Sequence, residues 1–224
     1  TTIGVTYDRD ITESDCVLCG QCITHCPTGA LSERDDTMKA FRALANPDLV
    51  TVVQIAPAVR AAWGESLGIS REFATVKRLV AALRKIGFNY IFDTNFTADL
   101  TIIEEGKEFV KRKFNSKEPN RYPLFTSCCP AWVRFMKSQY PDMMEHFSTT
   151  KSPQQMFGAI AKSYFAEQLG VPREKLVVVS VMPCLAKKYE AGREEFSVDG
   201  NRDVDISITT RELASLIKIS NIKF

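Results

Sequence analysis

The sequence predicts an α/β protein in which a short cysteine-bearing segment precedes a larger body built on a buried sheet. Three observations lead there. Four of the seven cysteines crowd into positions 16–26. Two β-branched runs, 49–56 and 175–182, have the continuous apolar character of strands covered on both faces. Stretches with apolar residues at helical spacing lie between them. One composition shift, at about 32–46, reads as a linker dividing the cysteine segment (1–40) from the body (41–224).

The totals narrow the choices. At 224 residues the chain has length for one large domain or two small ones with a real core. It is 45 % hydrophobic and 25 % charged, which argues against wholesale disorder. A net charge of +2 implies no strong pull towards nucleic acid or an acidic membrane surface. No apolar run approaches the roughly 18 residues of a membrane span. The start has no signal-peptide pattern, and it opens on Thr1 rather than Met, so the natural beginning is expected upstream. An odd cysteine count, unevenly spread, suits thiolates kept for metal in a reducing, cytoplasmic compartment better than a disulfide framework.

In order, residues 2–7 read as a short strand and 49–56 as a buried one stopped by Pro57. A short helix is expected over 58–66. Val76, Leu79, Val80, Leu83 and Ile86 give a packed helix over 73–86 with Gly87 as its cap, and 90–92 gives a short strand. The helix over 98–114 turns Leu100, Ile103, Phe109 and Val110 to the core, and Glu105, Glu108 and Arg112 form one stripe. Taken by itself that stripe is a solvated charged face. A strand over 122–126 leads to Cys128-Cys129, and Pro130 opens a helix to about Gln139. Ser152 caps a longer helix with Met156, Phe157, Ile160, Ala161, Tyr164 and Phe165 as its apolar stripe. Strands over 175–182 and 203–208 follow, and Thr209-Thr210-Arg211-Glu212 starts the last helix as a capping box.

Cys16, Cys19, Cys22 and Cys26-Pro27 form C-x2-C-x2-C-x3-C-P, the run that bacterial ferredoxins use to hold a [4Fe–4S] cluster. Two residues between thiolates let a loop wrap one corner of a cube, and Gly20 permits the backbone angles this needs. Structural zinc prefers paired knuckles set further apart. In two-cluster ferredoxins the fourth cysteine of such a run serves the other cluster, so Cys26 is expected to point to a second cluster with ligands upstream. A lone site with four cysteines is the other arrangement.

Cys128 and Cys129 point into different spaces as neighbours, so one is free to ligate metal while the other does another job. A vicinal disulfide and two ordinary buried thiols are the structural alternatives. Cys184 lies in Met182-Pro183-Cys184-Leu185-Ala186-Lys187-Lys188, again where a buried strand yields to a loop, the place where open α/β sheets put ligands.

Thr126-Ser127-Cys128-Cys129-Pro130-Ala131-Trp132 and Met182-Pro183-Cys184-Leu185-Ala186-Lys187-Lys188-Tyr189-Glu190 closely resemble the first two signature motifs of the [FeFe]-hydrogenases. The resemblance extends through Ile55-Ala56-Pro57, Glu104-Glu105, Lys151-Ser152-Pro153-Gln154-Gln155 and Ile208-Thr209-Thr210-Arg211-Glu212-Leu213. It implies a ferredoxin-like segment followed by a domain for the H-cluster, a [4Fe–4S] cube joined to a diiron unit carrying CO, cyanide and a bridging dithiolate. Cys129 and Cys184 would ligate the cube, Cys128 would pass protons to the bridging amine, and Lys187 would hold a cyanide. Ala56, Pro57 and Met182 would wall the pocket, with Ser152 and Gln154 as polar neighbours. Glu105, Glu108, Arg112 and Ser148 would form the proton relay. The reaction implied is reversible oxidation of H2, with a ferredoxin or a flavin–NADH subunit as electron partner.

One departure stands against a complete site. The family's third cysteine motif is absent, and no cysteine follows Cys184. The expectation is a fragment cut at both ends; a split subunit completed by a further chain and a degenerate relative are the alternatives. A hydrogen sensor, an iron–sulfur assembly factor and a plain electron carrier are the competing functions.

Overall fold

A computed structural model describes residues 7, 9–114 and 122–224. The strand expected over 2–7 therefore lies outside the described residues, Tyr7 excepted. The centre is a four-stranded parallel sheet of β1 (Val50–Ile55), β2 (Tyr90–Asp93), β3 (Leu176–Val181) and β6 (Ile206–Ile208), in the order β2-β1-β3-β6. The register is continuous across its carboxyl edge: Asp93 pairs with Ile55, Ile55 with Val181, and Val181 with Ile208. Apart from the sheet, β4 (Ser197–Val198) and β5 (Asn201–Arg202) form a small hairpin. Its turn residues Asp199 and Gly200 both take positive φ, the pattern a two-residue turn between antiparallel strands requires.

Helices cover both faces, which is why β1 and β3 can be apolar nearly throughout. On one face Val53, Ile55, Val177, Val179, Val181, Ile206 and Ile208 meet Trp63, α2 (Thr37–Ala45), α4 (Val76–Ile86) and α10 (Thr210–Ile219). The opposite face packs Val52, Leu176, Val178 and Val204 against the long helix that starts with α7 (Pro153–Ile160). That helix passes through a π turn at Ala161–Phe165 and ends in α8 (Ala166–Leu169). Gly158 lets it approach the chain: a Cβ there would lie 2.4 Å from the Asp203 carbonyl oxygen.

Capping follows the sequence closely. Ser152 accepts from the Gln155 amide, and Thr209 with Glu212 makes a full capping box. α3 (Pro57–Ala62) starts one residue earlier than expected, and α5 (Asn95–Phe114) starts three earlier.

Several expectations fail: Val76 and Tyr164, read as packed positions of their helices, are exposed. The stretch read as a linker holds α2, whose Ala40 and Ala43 are in the core. The strand expected over 122–126 does not form; Phe125 makes a single parallel bridge with Phe147 instead. α5 is turned the other way: Ile103, Phe109 and Val110 are exposed and Leu100 only half-buried, whereas Thr97, Thr101 and Arg112 are buried.

Candidate functional site

The strand order reverses direction between β1 and β3, and ligands in open α/β sheets sit at such a point beyond the strand ends. Ala56-Pro57 leaves β1 there, and Met182-Pro183-Cys184 leaves β3 beside it. Ladder bonding runs one residue further, from the Ala56 amide to Val181 O at 3.1 Å and from the Met182 amide to Ile208 O at 2.9 Å. Pro57 and Pro183 have no amide hydrogen, so both ladders end. Ala56 and Met182 are buried, Pro57 is exposed and Cys184 is half-buried.

The second cysteine motif reaches this region from α6 (Pro130–Gln139). Cys129 is the N-cap residue of that helix, with its Sγ accepting from the Trp132 amide at 3.5 Å. Cys128 and Cys129 are both exposed and neither is in a disulfide, which removes the vicinal-disulfide and buried-thiol alternatives. Lys187, on α9 (Ala186–Ala191), ties the motifs together by donating from Nζ to the Cys128 carbonyl at 2.7 Å.

The same ammonium lies 3.0 Å from the Glu190 carboxylate. Glu190 is a buried hub that motif spacing did not single out. Its Oε2 accepts from Ser152 Oγ and Gln154 Nε2, each at 2.9 Å. Gln154 Oε1 in turn accepts from Ser180 Oγ at 2.6 Å, and the Gln154 carbonyl accepts from Gln54 Nε2 at 3.1 Å. Ser152 and Gln154 thus act through Glu190 on Lys187. The spacing of Lys187 and Glu190, three apart on one helix, was the available signal.

On α5 the stripe is no solvated face. Arg112 is buried and donates from Nη2 to Glu108 Oε1 at 2.5 Å and to the Phe147 carbonyl at 2.6 Å. Ser148 Oγ donates to Glu108 Oε2 at 2.6 Å. A cleft of about 550 Å³ lined by Glu108, Lys111, Arg112 and Thr149 opens here. One turn inward, Glu105 has a buried carboxylate oxygen, Oε1, without a hydrogen-bond partner. Burial pushes its carboxyl above the usual range and the Glu108 charge adds to this, while the Ser127 backbone and Ser148 hydroxyl pull the other way. Ser127 immediately precedes Cys128, so the structure brings Glu105, Glu108, Arg112 and Ser148 together beside the Cys128 loop.

The N-terminal cysteines flank α1 (Gln21–His25). Gly20 at φ 79° and Leu18 at φ 58° are both left-handed. Cys16 Sγ accepts from the Leu18 amide at 3.4 Å. The Thr28 hydroxyl beside Cys26, with backbone donors of Thr28 and Leu31, lowers that thiol to about 7. None of the four is in a disulfide. Among the described residues no three Cys, His, Asp or Glu side chains are gathered as a single ion requires. The donor set fits a cube nonetheless: it offers thiolates alone, spread along a turning loop, and a cube holds its ligands further apart than one ion does.

A parallel α/β sheet with cysteine loops at its carboxyl edge and a four-cysteine run ahead of it defines an iron–sulfur protein. The family model described as iron only hydrogenase large subunit, C-terminal domain, matches residues 50–224, and a 4Fe-4S binding domain matches 10–32. The chain belongs to the iron-only hydrogenase large-subunit family. It is 57 % identical over 99 % of its length to the NADP-reducing hydrogenase subunit HndD of Solidesulfovibrio fructosivorans, covering 38 % of that protein. Identity is 45 % to the periplasmic [Fe] hydrogenase large subunit of Nitratidesulfovibrio vulgaris, over 96 % of the chain and 58 % of the relative. An apo [FeFe]-hydrogenase from Chlamydomonas reinhardtii superposes with a TM-score of 0.79 at 42 % identity, over 85 % of this chain and 49 % of that one. The chain thus spans well under two thirds of each. No helix among the described residues is long and apolar enough to cross a membrane.

Proposed function

We propose that the chain is the cluster-binding part of a hydrogenase that interconverts H2 with protons and electrons. The observation that carries this reading is the run of polar contacts from Arg112 through Glu108 and Ser148 to Glu105, ending at the residue before Cys128. A surface ion pair needs no such inward continuation.

Cys129 and Cys184 would hold the cube of the H-cluster, and Cys16, Cys19, Cys22 and Cys26 the N-terminal cluster. Bound there, these groups would supply dihydrogen activation and electron storage. The chain's own residues do the rest. Glu105, with its pKa raised, is suited to carry a proton at Oε1 next to the Cys128 loop. Glu108 exchanges protons with the open cleft, and Ser148 passes them between the two acids. Arg112 holds Glu108 in place through its planar guanidinium. Lys187, aimed by Glu190, presents a charge to an anionic ligand in the pocket that Ala56, Pro57 and Met182 wall. The likeness to HndD supports a nicotinamide-linked electron partner over a ferredoxin. The unpaired thiols support a cytoplasmic site, against the periplasmic name of the relative from N. vulgaris; cell fractionation decides.

The 33 % identity to the cytosolic iron-sulfur assembly component 3 of Bos taurus marks the assembly-factor reading. Infrared bands of CO and cyanide in the matured full-length protein separate the two. Cys128→Ala should abolish most turnover while those bands remain; bands lost with the thiol would mean that Cys128 is a ligand and the proton role is wrong.

A further inference from the structure

Arg134 has no part in the proton path or the pocket, yet it bridges segments that lie far apart in the sequence. It lies on α6, five positions after Cys129. Its guanidinium Nε donates to the Cys16 carbonyl, and Nη2 donates to the Ser14 carbonyl at 3.0 Å. Nη1 lies 3.3 Å from Tyr189 Oη. Tyr189 sits on α9, five positions after Cys184, and its hydroxyl also accepts from Arg193 Nη1 at 2.6 Å. Both guanidinium groups lie over the Tyr189 ring, 5.2 and 5.4 Å from its centre.

A second contact fastens the other end of the loop. Gly20 rests on Leu185, the residue after Cys184, so closely that a Cβ would come within 2.3 Å of Leu185 Cδ1. The cysteine loop is therefore held at Ser14–Cys16 by α6 and at Gly20 by the Cys184 loop. The three cysteine loops meet in one place, although more than a hundred residues separate the first from the others in sequence.

We propose that Arg134 is a positioning residue for electron passage, locking the N-terminal cysteine loop onto the helices that follow Cys129 and Cys184. This rests on the hydrogenase reading only for its consequence; the lock itself is a property of the folded chain. Electron tunnelling falls exponentially with separation, so a loop held by one planar five-donor group keeps the transfer distance short. Lysine keeps the charge but loses the fork. Reaching Cys16 O, Ser14 O and Tyr189 Oη at once needs the fork. A cation at the loop's carbonyls also favours extra electrons on a cluster bound there, raising its potential.

The test uses the full-length protein carrying Arg134→Ala or Arg134→Lys. Deuterium exchange of the amides at residues 14–22 should accelerate at least tenfold in the alanine variant, with α7 and β3 unchanged. In the matured enzyme the N-terminal cluster should become harder to reduce, and H2 oxidation coupled to a viologen dye should fall at least tenfold. H2–D2O isotope exchange, which needs no electron to leave, should hold at the wild-type rate. Arg134→Lys should restore the potential but not the loop protection. Unchanged loop exchange, or parallel loss of dye reduction and isotope exchange, overturns the proposal. If wild-type protein shows no isotope exchange, the hydrogenase reading fails while the exchange data at 14–22 still judge the lock.

Discussion

Lys187 and Lys188 are adjacent, and the structure assigns them opposite work. Lys188 is turned away from the cysteines into a buried cluster, 2.9 Å from Asp36 and 2.7 Å from Glu212. The cluster joins the start of α2, α9 and the start of α10. Exposure of the three side chains is 7 %, 9 % and 6 %, so Lys188→Met would leave two carboxylates without their shared cation in a nearly dry site. Removing one partner of a buried ion pair costs roughly 3–5 kcal/mol. Asp36 keeps the Arg34 guanidinium at 3.0 Å, and Glu212 keeps the Thr209 amide at 2.6 Å. Those surviving partners put the expected loss near the lower end, about 3 kcal/mol. Domains have only about 5–15 kcal/mol in all.

Urea unfolding followed by the fluorescence of fully buried Trp63 measures this loss. Its pH dependence is diagnostic. Burial pushes the Asp36 carboxyl up, but hydrogen bonds from Lys188 and Arg34 outweigh it and hold the group below its ordinary 3.8. A depressed carboxylate stabilises the wild type above that pH, and the contribution disappears as pH falls through the folded-state value. In Lys188→Met the Asp36 carboxyl binds a proton more readily, so the deficit should be greatest at neutral pH and shrink below about pH 4. Adding Glu212→Gln should recover part of it. A loss under about 1 kcal/mol, or one independent of pH, would refute the argument that Lys188 neutralises this cluster.

Glu105→Gln should remove an opposite dependence. Its raised pKa means the wild type loses stability as pH climbs from 4.5 through the folded-state value, so the variant should gain on the wild type over that interval, keep the gain above it and match the wild type in acid. Equal pH profiles in thermal unfolding would return Glu105 to ordinary solvent. Gly158→Ala adds a methyl 2.4 Å from the Asp203 carbonyl oxygen and 2.8 Å from Val204 Cγ2. Overpacking of about 1–3 kcal/mol should exceed the roughly 1 kcal/mol gained in helix propensity, giving a lower urea midpoint. Thr209→Ala should cost about 0.5–2 kcal/mol by the same assay, because the Glu212 amide loses the Thr209 hydroxyl as its acceptor.

What could be read from residues alone was whatever local chemistry determines. The two long β-branched runs became β1 and β3 because continuous apolar character leaves no solvent face to choose. Ser152 and Thr209 mark helix starts through bonds made within three residues, and Pro130 does so through its fixed φ. The thiol motifs were legible since metal ligation needs particular atoms at particular spacing. Lys188, Asp36 and Glu212 were not, because their pairing spans as many as 176 positions and depends on how three helices meet. Residues 37–45 looked like a linker on composition, yet Ala40 and Ala43 are small enough to let α2 lie flat in the core. Phe125 has strand character but, among the described residues, no neighbouring strand beyond the Phe147 bridge to complete a ladder.

α5 shows why periodicity misread the helix that carries the proposed proton path. Periodicity assigns the apolar stripe of a helix to the core, on the premise that burial selects for hydrophobicity. Here the inward face carries Thr97, Thr101 and Arg112, while Phe96, Ile102, Ile103, Val110 and Phe114 are more than half exposed. A helix can bury such a face only if each polar group finds a partner. Thr97 donates to the Pro153 carbonyl at 2.9 Å, Thr101 to the Thr97 carbonyl at 2.9 Å, and Arg112 to Glu108 and Phe147. Glu105 Oε1 breaks that rule, with no hydrogen-bond partner among the described residues. Burial and the Glu108 charge raise the Glu105 carboxyl above its ordinary range, outweighing what the Ser127 backbone and the Ser148 hydroxyl supply, and an acid so perturbed is the kind that the proposed proton path calls for. Composition cannot mark that position; it follows from how the fold balances burial and charge there against the partners it supplies.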